Sequence, residues 1–130
     1  MTNEGEVYFA LYGDEFDPQE VTSIVGIAPS SVHRKKGRSL GRSMWKLSAG
    51  KLEADVIDVY DMTSALVDRL RPRGRQIIAA KQRFSMEAVL QVVLRITTDE
   101  TVSTPAIGFS REVIEFLSSV GASIDVDTYR

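Results

Sequence analysis

From Met86 to Ile96 every second residue is apolar: Met86, Ala88, Leu90, Val92, Leu94 and Ile96. Successive side chains on an extended backbone point to opposite faces, so this run demands a sheet with one buried side. Glu87, Gln91 and Arg95 recur at a spacing a helix also allows. The β-branched content of Val92-Val93 and Ile96-Thr97-Thr98 decides for a strand. A sheet buried on one side needs a second layer to cover it, and the remaining sequence supplies helices for that purpose.

Val7 to Tyr12 reads as a first strand that stops at Gly13. Asp17-Pro18-Gln19-Glu20 then opens a helix, with Asp17 as cap, Pro18 at the first position and Glu20 three residues after the cap. Val21, Ile24 and Val25 form its apolar stripe, and Gly26 ends it. Ala28 to Ser31 is a turn, and His33 to Gly41 a basic, glycine-punctuated loop. Ser43 to Ser48 alternates as a strand, with Ser43, Trp45 and Leu47 on one face and Ala49-Gly50 as its close. Asp55 to Leu70 is the longest helix, its stripe running through Val56, Val59, Tyr60, Thr63, Val67 and Leu70. Arg71-Pro72 stops it. Gln76 to Lys81 reads as a short strand. Ser110 caps a last helix bearing Val113, Phe116, Leu117 and Val120, which Gly121 ends. Ser123 to Asp127 is a final strand.

The expected fold is therefore α+β. It is a single two-layer domain over residues 1–130, a mixed or antiparallel sheet with helices on one face, in the order β-α-β-α-β-β-α-β. The strand–helix–strand units 7–48 and 86–127 both cap their helix with Asp or Ser and end it on glycine. Two helix caps are too little to establish a duplication.

Composition narrows the chemistry. With no cysteine, the chain has no disulfide, thiolate metal site, iron–sulfur cluster or thiol nucleophile. No run of about 18 apolar residues spans a membrane, and the acidic N-terminus lacks a signal-peptide core, so a soluble cytoplasmic protein is expected. The net charge of −2 conceals segregated blocks. Residues 1–20 carry six acids and no Lys or Arg, residues 34–51 carry seven bases and no acid, and 69–83 are again basic. Such blocks either neutralise one another on folding or leave charged faces.

Three constellations bear on function. His33, the single histidine, suits acid–base work, but no G-x-S-x-G elbow accompanies it. Asp125 and Asp127 share one side of the last strand. With Asp14 at the end of the first, they are the candidate carboxylates for a cation or an acid–base pair. The segment His33 to Arg42 offers Arg34, Lys35, Lys36, Arg38 and Arg42 to an anion, with Trp45 close by to stack. It lacks the P-loop spacing, and the negative net charge argues against nucleic acid.

Residues Tyr12-Gly13-Asp14-Glu15-Phe16-Asp17-Pro18 through Gly26-Ile27-Ala28-Pro29 resemble the opening of small bacterial proteins grouped as domain of unknown function 4279. Their pattern is a strand, a glycine, F-D-P and then L-G-I-x-P. The resemblance continues through Lys36-Gly37, Trp45-Lys46-Leu47-Ser48, Leu70-Arg71-Pro72, Gly121-Ala122 and Ile124-Asp125-Val126-Asp127. It spans nearly the whole chain, with Val21 and Val25 where the pattern has Ile and Leu. It implies a free-standing cytoplasmic domain and brings no catalytic residues or cofactor. The expected function is non-catalytic binding of another protein, antidote- or adaptor-like, through Arg34, Lys35, Lys36, Arg38, Arg42 and Trp45. The alternatives are a carboxylate- or metal-dependent enzyme using Asp14, Asp125 and Asp127, and a small-anion sensor.

Overall fold

A computed structural model describes residues 1–37 and 41–130. Strand β1 (Asn3–Gly13) is central in a five-stranded sheet of order β2-β3-β1-β4-β5. Its neighbours β3 (Ser43–Ala54) and β4 (Glu87–Arg95) both run antiparallel to it. The short β2 (Ser31–His33) pairs with β3 at one edge, and β5 (Ala122–Tyr129) lies parallel to β4 at the other. Helices α1 (Pro18–Val25), α2 (Val59–Leu70), α3 (Gly74–Phe84) and α4 (Arg111–Ser119) form the second layer.

The registers sort the side chains. Phe9 faces Leu47 on β3 and Leu90 on β4, and Leu11 faces Trp45 and Ala88. These residues are buried in one cluster with Val21 and Val25 of α1, Leu66 and Val67 of α2, Ile77 of α3 and Phe116 of α4. All four helices therefore cover the same face of the sheet. The α+β, two-layer expectation holds, as does the alternation of β4: Ala88, Leu90, Val92 and Leu94 are all buried.

Local caps behave as their chemistry dictates. Asp17 accepts from the Gln19 amide at 3.0 Å, and Gly26 ends α1 at φ 79°, a left-handed geometry that glycine adopts without steric cost. Ser110 caps α4 through the Val113 amide.

Four expectations need correction. Residues 76–81 are not a strand but the middle of α3. Pro72, read as a stop, occupies the second position of a 3-10 turn (Arg71–Arg73) that leads directly into α3. Proline has no N–H to lose there, so it opens a helical segment as readily as it closes one. Second, α2 starts at Val59 rather than Asp55, because Asp58 accepts from the Tyr60 amide at 2.9 Å and caps it. Val56 lies outside the helix and is 71% exposed. Third, Gly50 does not end β3. Tyr8 pairs with Ser48 and Glu6 with Lys51, so Ala49 and Gly50 together oppose Val7 as a bulge, with Gly50 at φ 95°. Fourth, the turn expected to run through Ser31 gives way to β2, three residues too short for any alternation to show.

Candidate interaction surface

The basic segment leaves β2 and returns into β3, beside the C-terminal end of β1. Folding matches most of its described charges with acids. Lys35 donates to Asp14 at 2.8 Å, and this hydrogen bond and the ammonium charge hold the Asp14 carboxyl below the usual carboxylate range. Arg34 lies 3.9 Å from Asp17. Arg42 donates to Glu87 and to the Tyr12 carbonyl, both at 3.2 Å, and its guanidinium stands 5.5 Å from the Tyr12 ring centroid. Lys36 is exposed. Arg38 falls outside the described residues. Trp45 is fully buried, and its Nε1 donates to Thr22 Oγ1 at 3.0 Å. Its position in β3 puts it on the helix-covered side with Leu47, so it packs in the core and offers no contact surface.

The three candidate carboxylates are not brought together. Asp125 pairs with Gln91, which pairs with Tyr8, and Tyr8 lies six residues before Asp14 along the strand direction. Asp14, the residue just past the end of β1, is therefore about 20 Å away along the sheet, before the sideways step of two strands is added. Asp127 instead accepts from Gln91 Nε2 at 3.1 Å, and the same amide reaches the Asp125 carbonyl. His33 pairs with Met44 at the opposite edge. Among the described residues no three His, Cys, Asp or Glu side chains are placed to hold a metal ion.

The side of the sheet away from the helices has no covering element among the described residues. Tyr8, Ala10 and Tyr12 occupy its centre, flanked by Lys46 on β3 and by Val89, Gln91 and Val93 on β4. Lys46 Nζ stands 4.0 Å from the Tyr8 ring centroid and 3.5 Å from Glu6, which also accepts from Ser48 Oγ at 2.7 Å. Burial under these neighbours pushes the Tyr8 phenol up to about 12, assisted by Tyr12 and by the charges of Glu6 and Asp127. Residue-by-residue reading missed this face. Its signal was nevertheless present, since Glu4, Glu6, Tyr8, Ala10 and Tyr12 alternate with Gly5, Val7, Phe9 and Leu11.

Tyr8 makes a direct prediction. One of the four tyrosines should ionise only near pH 12, and Tyr8→Phe should abolish that step in a phenolate-absorbance titration. The neutral phenol is favoured by folding, so its contribution to stability is complete below pH 10 and is lost as pH rises toward 12. Four tyrosines titrating together at the ordinary value would show the face to be solvated.

The two ends of the open face differ in charge. Arg34, Lys35, Lys36 and Arg42 gather at the β1 C-terminal end. At the other end Glu4, Glu6, Lys51, Glu53, Arg95 and Tyr129 line a hollow of about 360 Å³. There Glu4 sits directly opposite Glu53, and its hydrogen bond and charge hold the Glu53 carboxyl above its ordinary value. Arg95 offsets this, 3.7 Å from Glu4.

A helical layer on one side of a mixed five-stranded sheet, with the other side open, defines a two-layer α+β protein. Residues 3–130 match the family described as Domain of unknown function (DUF4279), and the chain belongs to that family. No curated protein and no solved structure matches it. No helix among the described residues is long and apolar enough to cross a membrane.

Proposed function

We propose that this chain is a non-catalytic protein-binding module, antidote- or adaptor-like, whose contact surface is the open face of the sheet. The observation that carries this reading is the one-sided packing of the helices. It leaves Tyr8, Tyr12, Val89 and Val93 beneath a border of charged side chains. Tyrosine and arginine supply much of the energy in protein interfaces, and Tyr12 with Arg42 stacked beside it is such a pair. The basic end, Arg34, Lys35, Lys36 and Arg42, would steer an acidic stretch of the partner onto the face. The carboxylate enzyme reading gains no support from aspartates about 20 Å apart along the sheet.

Photo-crosslinking residues placed at Met44, Val89 and Ser123 on the open face, and at Tyr60 and Asp61 at the N-terminal end of α2, test the proposal in the source cell. The expected result is one protein adduct shared by the open-face positions and absent from the α2 positions. Lys36→Glu with Arg42→Glu should reduce it about tenfold or more, corresponding to a loss above about 1.4 kcal/mol. An adduct formed only from α2, or none from the open face, would refute it.

A further inference from the structure

Among the described residues the basic loop's Arg34, Lys35 and Arg42 meet Asp17, Asp14 and Glu87, but a second basic segment is largely unmatched. Arg69, Arg71, Arg73 and Arg75 fall within seven residues, across the end of α2, the 3-10 turn and the start of α3, and all four are exposed. Arg83 follows on the exposed side of α3, two turns beyond Arg75 with Ala79 between them. Only Arg71 meets an acid, Asp68 at 3.6 Å. Among the described residues Arg69, Arg73, Arg75 and Arg83 lie within ion-pair distance of no carboxylate. Arg73 lies across Gly26, where it faces the C-terminal end of α1. Arg83 lies over the Phe84 ring, 5.2 Å from its centroid, and among the described residues Arg69 and Arg75 meet no carboxylate.

We infer that this arginine turn is a docking site for a short acidic segment of another protein, on the helical layer and separate from the open sheet face. Crowded like charges work against the compact state unless something offsets them. Guanidinium groups take carboxylates through two parallel hydrogen bonds, a geometry lysine cannot supply. Acids limit the extent of the patch. Asp61 and Asp68 lie on α2, and Glu112 and Glu115 form the far wall of a hollow of about 450 Å³ beside Arg71 and Gly74. A long polyanion laid across the turn would meet those carboxylates. The turn's exposed residues include no aromatic ring for bases to stack on. A short peptide fits within these limits. Arg75 and Arg83 are about 12 Å apart along α3, the reach of about four extended residues.

Fluorescence anisotropy with a labelled glutamate-rich octapeptide and the intact chain, at low and at near-physiological salt, tests the site. Salt-sensitive binding is expected. Arg69→Glu, Arg75→Glu and Arg83→Glu together should weaken it about tenfold or more with an unchanged melting temperature. If that triple variant melts early, the matching glutamine triple is read in its place. Lys36→Glu with Arg42→Glu should leave peptide binding as it was, which separates this site from the open face. Absence of peptide binding, a turn variant that binds like the parent, or loss only in the Lys36/Arg42 variant would each overturn the inference. Tighter binding of a single-stranded RNA of equal charge would overturn it too.

Discussion

Trp45→Ala is expected to destabilise the protein by about 3–5 kcal/mol, the range for removing a large aromatic from a packed core. The indole is fully buried between β1 and α1, with Leu11 as its cross-strand neighbour and Thr22 Oγ1 accepting from Nε1. Alanine would leave a cavity that the antiparallel ladder on either side of β3 prevents from closing. Trp45→Phe keeps much of the volume. Thr22 would still donate to the Pro18 carbonyl at 3.1 Å, so no donor is orphaned and the cost falls to about 1–2 kcal/mol. Trp45 is the only tryptophan, so urea unfolding must be followed by far-UV circular dichroism. A midpoint that moves at constant m would confirm the loss of packing. An alanine variant as stable as the parent would place the indole on the surface, and so return it to the contact site.

Asn3→Ala should rank next, although the residue stands third in the chain. Its side chain is fully buried. Its amide donates to the Ser103 carbonyl at 2.8 Å and to the Asp55 carbonyl at 3.3 Å, and its Oδ1 accepts from the Thr97 amide at 2.9 Å. One side chain thus joins the start of β1, the lead into α2 and the segment after β4. Alanine leaves two carbonyls and one amide without partners, at about 1–3 kcal/mol for each group that water cannot reach. Asn3→Asp keeps the acceptor and loses both donors, so it should also destabilise. Hydrogen exchange would locate the effect. Faster exchange at Thr97 and across 97–106, with β4 still protected, is the expected pattern, and uniform loss would contradict it.

The site readings divided along the same physical line as the fold readings. The basic run at 34–42 and the arginines at 69–83 are visible as strings of letters. Whether they remain free depends on partners 21 and 45 residues away, as Asp14 does for Lys35 and Glu87 for Arg42. The aspartates of β5 face the open side as their alternation implied. Their distance from Asp14 follows from strand order and register, which no local pattern encodes. Pro72 shows the same limit at shorter range, because its ring suits a helix start and a helix end alike.

What the sequence determined by itself is local: the alternation of β4, the caps Asp17 and Ser110, the stop at Gly26 and the α+β class. Each depends on forces acting within about four residues along the chain, where the letters and the geometry coincide. Only the tertiary structure decided that β1 lies between β3 and β4, that Trp45 is core, and that among the described residues Arg34, Lys35 and Arg42 of the loop meet acids while Arg69 and Arg75 of the α2–α3 turn do not. Those outcomes depend on which distant segments come into contact, and long-range pairing is chosen by the burial of the whole apolar face at once.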